Sequence, residues 1–310
     1  PMTRVATFQN SQSALLNLQR AQAREFAAGQ AVSSGKKGDD LRAFGRAAEG
    51  VVALKTVHAR VTTWLDQGRQ LQGRLEMQDL MLNRVSDAAA DARQAMLEAL
   101  AHDRGDGFAA AMQAAFSKAA EALNARHDGR YLFAGARLEE PPFEAGRMAD
   151  LTGVPAAADL FNNDGFRAGT RLGEAVSLQT GELASEIGGP LMDAFRRVQA
   201  FLEGPDGALG HPLTAAQKAF LESEVAGLKQ AQDGVIDVAA RNGAVQRRLD
   251  DALADLVGRD KTLKGLIGAR TDVDMTEAVA DLQAAQVAVQ ASAQVFAALR
   301  GSSLLDLLPL

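Results

Sequence analysis

Four histidines, His58, His102, His127 and His211, are the side chains of this 310-residue sequence best suited to acid–base or metal chemistry. They lie far apart, and none sits in the H-E-x-x-H pattern that puts two imidazoles on one helix face around zinc. His58 falls inside a helical pattern and reads as a solvated side chain; His127 and His211 read as turn residues. Cysteine is absent, which removes disulfides, thiolate nucleophiles and sulfur-ligated metals together. Gly35-Lys36-Lys37-Gly38-Asp39-Asp40 has the glycines and lysines a phosphate would want, but the G-x-x-x-x-G-K-[ST] spacing fails. It reads as a hinge after a helix. No G-x-S-x-G elbow is present. Glu139-Glu140 and Asp250-Asp251 have the spacing of solvated helix or turn faces. The expectation is no catalytic residue, no cofactor and no metal, hence no enzyme.

With no chemistry to position, the elements themselves become the subject. Apolar residues make up 47% and aromatics only 5%, the balance of a protein built from long Ala- and Leu-rich helices. The net charge of −6 comes from interspersed acids and bases, which leaves no basic footprint for nucleic acid. No run reaches the roughly 18 apolar residues of a membrane span. From Val57, alternating steps of four and three residues pass through Val61, Trp64, Leu71, Leu75, Leu82 and Val85 to Ala99, with Gln78 the polar exception. A heptad seam of about six repeats predicts coiled-coil packing. The breaker cluster 103–107 ends it. A second seam runs through Leu221, Leu228, Leu249, Leu253, Leu256 and Ile267, after a capping box of Thr214 and Gln217. Each stripe alone would stay wet, so the two predict an antiparallel pair.

The ends form another pair. Residues 3–33 carry Phe8, Leu15, Leu18 and Phe26. Residues 275–308 carry Leu282, Val289 and Phe296 behind an N-cap at Asp274, and run on to Leu304, Leu305, Leu307 and Leu308. Between the long helices, 138–212 is broken by Pro141-Pro142, by Asn162-Asn163-Asp164-Gly165 and by several glycines, with one strand expected near 174–180 and a helix over 190–203. The predicted fold class is mainly α. It is a long antiparallel coiled-coil rod built from N- and C-terminal segments, with a β-hairpin and a small inserted α/β or β-rich outer domain. Three parts are expected: terminal helices 1–44 with 271–310, the rod 45–137 with 213–270, and the insert 138–212.

The turn-rich stretch 127–143, HDGRYLFAGARLEEPPF, follows the first helices. Asp128-Gly129 should turn through positive φ, placing Tyr131 and Phe133 on one strand face against the rod, with Gly135 closing the motif. This stretch resembles the N-G-R-Y-L-F-x-G…P-F of hook–filament junction members of the flagellin superfamily. Val32-Ser33-Ser34-Gly35 with Asp39-Asp40 is similar to that superfamily's L-S-S-G…D-D junction. Arg241-Asn242-Gly243-Ala244 through Leu249 resembles its R-x-G-A-x-x-N-R-L, and Gln290-Ala291-Ser292 through Leu304-Leu305 resembles its terminus.

The resemblance implies a structural subunit of the bacterial flagellum, adapting hook to filament by helix–helix subunit packing. It implies assembly through the terminal-helix residues, and partners that are other flagellar subunits: a hook-side junction protein and flagellin. It also implies self-association in a ring or filament, an export chaperone, and no nucleic acid or membrane insertion. The polar start, without an apolar core or cleavage site, suits export without a cleaved signal peptide to an extracellular flagellum. Filament flagellin itself, a flagellin-derived surface-binding variant, or a cytosolic coiled-coil scaffold are the alternatives.

Overall fold

The computed structural model describes residues 2–38, 44–45, 47–174 and 176–305, with side chains described between 12 and 299. Asp39, Asp40, Leu307 and Leu308 lie outside the described residues, as do the side chains of Phe8, Leu304 and Leu305. Among the described residues, six α-helices carry the chain: α1 (Met2–Ser34), α2 (Ala48–His102), α3 (Phe108–Leu123), α4 (Ala184–Glu203), α5 (Ala215–Thr271) and α6 (Met275–Leu305). Two short hairpins complete it, β1 (Arg126–His127) with β2 (Arg130–Tyr131), and β3 (Gly169–Arg171) with β4 (Ser177–Gln179), both antiparallel. Among the described residues, no helix is long and apolar enough to cross a membrane. The residues fall into two compact units, 1–60 with 258–310, and 61–257.

In the terminal unit, α1 and α6 pack along each other and bury small residues, Ala14, Ala21 and Ala278. Gly29 faces Leu282, with 4.0 Å between the position of a β-carbon and the Leu282 side chain. Small residues let helix axes approach closely, but they leave larger apolar groups outside. Leu15, Leu16, Phe26, Val279, Val287 and Val295 are all exposed, Phe26 at 69%. The hinge predicted at Gly35 is instead a hydrogen-bonded crossing. Gly35 ends α1 at φ 66°, and Lys36 pairs with Asp272 as a β-bridge. Lys37 N donates to Thr271 O at 2.7 Å, Val273 N donates to Gly35 O at 3.0 Å, and the Lys36 ammonium meets Asp272 Oδ1 at 2.6 Å. Asp274 caps α6 as expected, accepting from Thr276 N at 2.8 Å. Within this unit α2 and α5 run antiparallel, Gly50 opposite Arg270 and His58 opposite Asp260. His58 is not the solvated side chain expected from its helical position: its Nε2 lies 2.9 Å from Asp260 Oδ1 and the ring is half-buried.

The larger unit holds the main core. Here too α2 and α5 are antiparallel, with Gly68 against Leu253 and Leu75 against Asn242 and Gln246. The predicted coiled-coil pairing is therefore present. Leu75, Leu82, Val85, Ala89, Ala92 and Met96 are fully buried on α2, and Leu221, Leu228 and Leu249 on α5. The capping box forms as read: Gln217 N donates to Thr214 Oγ1 at 3.2 Å and Thr214 N to Gln217 Oε1 at 2.9 Å. Two details depart from the strict seam. Trp64 and Leu253 are half-buried while Leu65 is buried at 5% exposure. On α5 the buried set also takes in Glu224, Ala231 and Val238, each one residue before a seam position. A stripe that wide faces two neighbours rather than one, as in a bundle; the second neighbour is α4.

Residues 138–212 hold the mixed α/β segment expected, with more helix than strand. Two 3₁₀ turns, Met148–Thr152 and Ala157–Leu160, and the twenty-residue α4 supply the helix, and β3–β4 is the one sheet there among the described residues. Helix α4 starts at Ala184, six residues before the predicted start, with Pro190 in its first turns. Ile187, Leu191, Phe195 and Val198 enter the same core as α2, α3 and α5. Phe116 of α3 is the junction, edge-on to Phe195 at 5.6 Å and to Phe143 at 6.2 Å. Gly188 is required there, because a β-carbon would sit 2.5 Å from Leu123.

Candidate functional site

The stretch after α3 is built by its own backbone needs. Asn124 caps α3 and holds Phe143 as a strand neighbour would, accepting from Phe143 N at 3.0 Å and donating to its carbonyl at 2.7 Å. Residues 125–142 are thereby closed into a loop on the end of the helix. Asp128 (φ 50°) and Gly129 (φ 77°) make the turn, both in the left-handed region, as the Asp-Gly pair predicted. Tyr131 N donates to Leu138 O at 2.9 Å and Leu132 N to Ala125 O at 3.0 Å.

The side chains are divided differently from the alternation read in the sequence. Strand β2 stops at Tyr131, and Leu132, Phe133 and Ala134 are buried consecutively. Phe133 is fully buried in the main core, and its carbonyl accepts from Ala184 N at 3.0 Å, closing the start of α4. Tyr131 does not follow it. It is half-buried, its ring lies 4.2 Å beneath the Arg126 guanidinium, and its hydroxyl accepts from Arg126 Nη2 at 2.7 Å. Gly135 (φ 69°) is fixed by a neighbour as well as by its backbone. Asp164 Oδ1 accepts from Ala136 N and Phe166 N at 2.9 and 3.0 Å, leaving 2.1 Å to any β-carbon at Gly135. These backbone donors hold the Asp164 carboxyl below the usual carboxylate range.

Beside the hairpin lies an open groove of about 560 Å³ between α2, β1–β2 and β3. Arg74, His127, Arg130 and Arg171 line it, with Asp128 its one carboxylate. Arg171 is committed to the carbonyls of Gly173 and Glu174 at 2.8 and 2.7 Å. Burial lowers the pKa of Arg74 from the usual arginine value. No sequence pattern announced this groove, because its cations come from three separate elements. Among the described residues, no group of His, Asp or Glu has the geometry to hold a metal ion.

Residues 225–308 match the family model of the bacterial flagellin C-terminal helical region. The chain is thus similar to flagellins over its C-terminal helical part. The match covers most of α5 and all of α6, including Asn242, Leu249 and Asp272 of the clasp. A search of curated protein sequences gives no match. The fold is similar to that of a protein assigned as flagellar hook-associated from Vibrio parahaemolyticus, at 15% identity and TM-score 0.61, over 74% of this chain and 98% of that one. It is similar also to FlgL of Bacillus cereus, at 14% identity and TM-score 0.56, over 70% of this chain and 99% of that one. The flagellin resemblance of the sequence thus holds.

For this flagellin-like chain, the predicted interface residues sit on α1 and α6. Leu15 is exposed, while Leu18, Leu282, Val289 and Phe296 are half-buried. The rod-core residues Val61, Leu71, Leu75, Leu82, Leu228, Leu249 and Leu256 are all buried.

Proposed function

We propose that the chain is the adaptor joining hook to filament, working through subunit packing alone. The observation that supports it most is the hairpin-and-loop 125–143. Its turn has the backbone that the hook-associated motif in the sequence requires, and it is anchored by Phe133 and Phe143 in the core. The likeness in fold to a protein named as flagellar hook-associated supports the same reading. Helices α1 and α6 (1–44 with 271–310) serve as the assembly part, 45–137 with 213–270 as the rod, and 138–212 as the outer part. The exposed Leu15, Phe26 and Val295 give the assembly part an apolar surface for neighbouring subunits. Export proceeds without a cleaved signal peptide, through a chaperone, and the partners are a hook-side junction protein and flagellin.

Electron microscopy of a deletion strain tests this. Hooks left on the cell with filaments shed into the medium are expected, restored by the full chain. Normal filaments on normal hooks in the deletion strain would overturn the reading. Loss of the filament alone, with the protein abundant along sheared filaments, would make it the filament subunit instead.

A further inference from the structure

The groove beside the hairpin is cationic and incompletely paired. Arg74 projects from α2 into it with no hydrogen-bond or ion-pair partner among the described residues, and Arg130 likewise has none. A partly desolvated guanidinium without a counter-charge is costly, and a carboxylate delivered to it recovers that cost through a charge-assisted, bidentate contact. The opposite arrangement exists on the same chain. At the start of α6, a shallow recess of about 280 Å³ is lined by Asp274, Glu277 and Asp281 against the single cation Lys37. Asp274 is spent on capping, but the Glu277 and Asp281 side chains are exposed and unpaired. They lie four residues apart on one helix, so their carboxylates stand side by side about 5–6 Å apart at the β-carbons.

We propose that the hairpin groove of one copy receives the Glu277–Asp281 edge of α6 from a second copy, with Arg74 and Arg130 as the receiving cations. The contact is heterologous, one surface against a different one, and such contacts propagate into rings or helical arrays rather than closed pairs. The inference rests on the reading of the chain as a self-associating flagellar subunit. It adds which surfaces meet and why their order is head-to-tail.

The absence of cysteine makes trapping clean. Two full-length proteins are mixed and oxidised, one carrying Gln70→Cys on the groove wall and the other Ala284→Cys, one turn beyond Asp281 on α6. Disulfide-linked peptides are then counted by mass spectrometry. The 70–284 link is expected to exceed the 70–70 and 284–284 links several-fold. It should fall to their level with Arg74→Gln in the first protein, with Glu277→Gln and Asp281→Asn in the second, or at ~0.5 M salt. The second set leaves the groove untouched, so misfolding around Arg74 cannot imitate the result. Equal yields of all three links, or a 70–284 link indifferent to these changes, would overturn the proposal. The adaptor reading fails separately, in the deletion strain.

Discussion

Truncating Leu75 to alanine removes a fully buried side chain from the smaller of two core clusters, where Leu71 and Leu75 of α2 meet Leu172, Leu178 and Leu249. Large-to-small changes at such sites cost about 2–5 kcal/mol, the upper end applying where the cavity cannot collapse. Here the wall includes Val245 and Leu253, which are half-buried and free to lean inward. The expected loss is therefore in the lower half, about 3 kcal/mol. For a unit of roughly two hundred residues each kcal/mol shifts Tm by about 2–4 °C, so the expected fall is about 6–12 °C. The backbone carbonyl of Leu75 still accepts from Asn242 and Gln246, so the loss isolates apolar packing. Thermal unfolding of the full chain, followed by circular dichroism, reads it. Leu80→Ala, on the opposite face at 57% exposure, is the control and should move Tm by less than about 1–2 °C. Equal shifts for the two variants would refute the pairing of α2 with α5.

Three further outcomes follow from named contacts. Gly135→Ala should lower Tm more than Gly129→Ala. Both have positive φ, but only at Gly135 does Asp164 occupy the space of a β-carbon; an equal loss would show that backbone conformation alone matters there. Arg197→Ala strands the Glu224 carboxylate, which is 7% exposed and receives two guanidinium hydrogen bonds at 2.8 and 3.0 Å. Because the arginine itself is about half exposed, the expected cost is on the order of 1–3 kcal/mol rather than that of a fully buried pair, and urea unfolding measures it. Hydrogen bonds from Lys36, then Thr271, hold the Asp272 carboxyl below its ordinary pKa. Its contribution is complete above the unfolded carboxylate pKa and is lost as pH falls through the lower folded value. Amide protection at Lys37 and Val273 should accordingly weaken in acid, and Lys36→Met should flatten that dependence. Protection unchanged down to the acid limit of folding would refute the ion pair as the clasp's support.

The long helices were legible because their signals are local and repeated. Twelve consecutive seam steps on α2 leave few other placements, and Thr214–Gln217 and Asp274 mark starts that the hydrogen bonds reproduce. The turn at Asp128-Gly129 was legible for the same reason, since few other dipeptides accept two positive φ values. What escaped depends on partners distant in sequence. Helix α4 was read six residues short, and Pro190 is tolerated inside it because a proline in the opening turns of a helix removes few hydrogen bonds. The widened stripe on α5 reflects α4 packing against it, which periodicity along α5 alone could not show. Tyr131 and Phe133 share a strand-like spacing, but the strand ends between them, so alternation gave the wrong partner to Tyr131. His58 finds Asp260 across 202 residues of chain.

The polar residues buried between α2 and α5 show where helix pairing gives way to a specific structure. An all-apolar seam holds two helices together but tolerates a shift of one repeat. Here the Leu75 carbonyl receives both Asn242 Nδ2, at 3.1 Å, and Gln246 Nε2, at 2.9 Å. One turn along, Gln78 is wholly buried and donates to Thr180 O at 3.3 Å, beyond the end of β4. Sliding α5 by a heptad would carry Asn242 and Gln246 off that carbonyl and leave buried amides unpaired, at a cost that apolar contacts could not recover. The same three residues tie α2 to α5 on one side and to the β3–β4 hairpin on the other. The sole polar interruption of the first seam is thus also one of the points where the inserted segment is fastened. The register of the long helices and one attachment of the insert are thus set within one turn of α2.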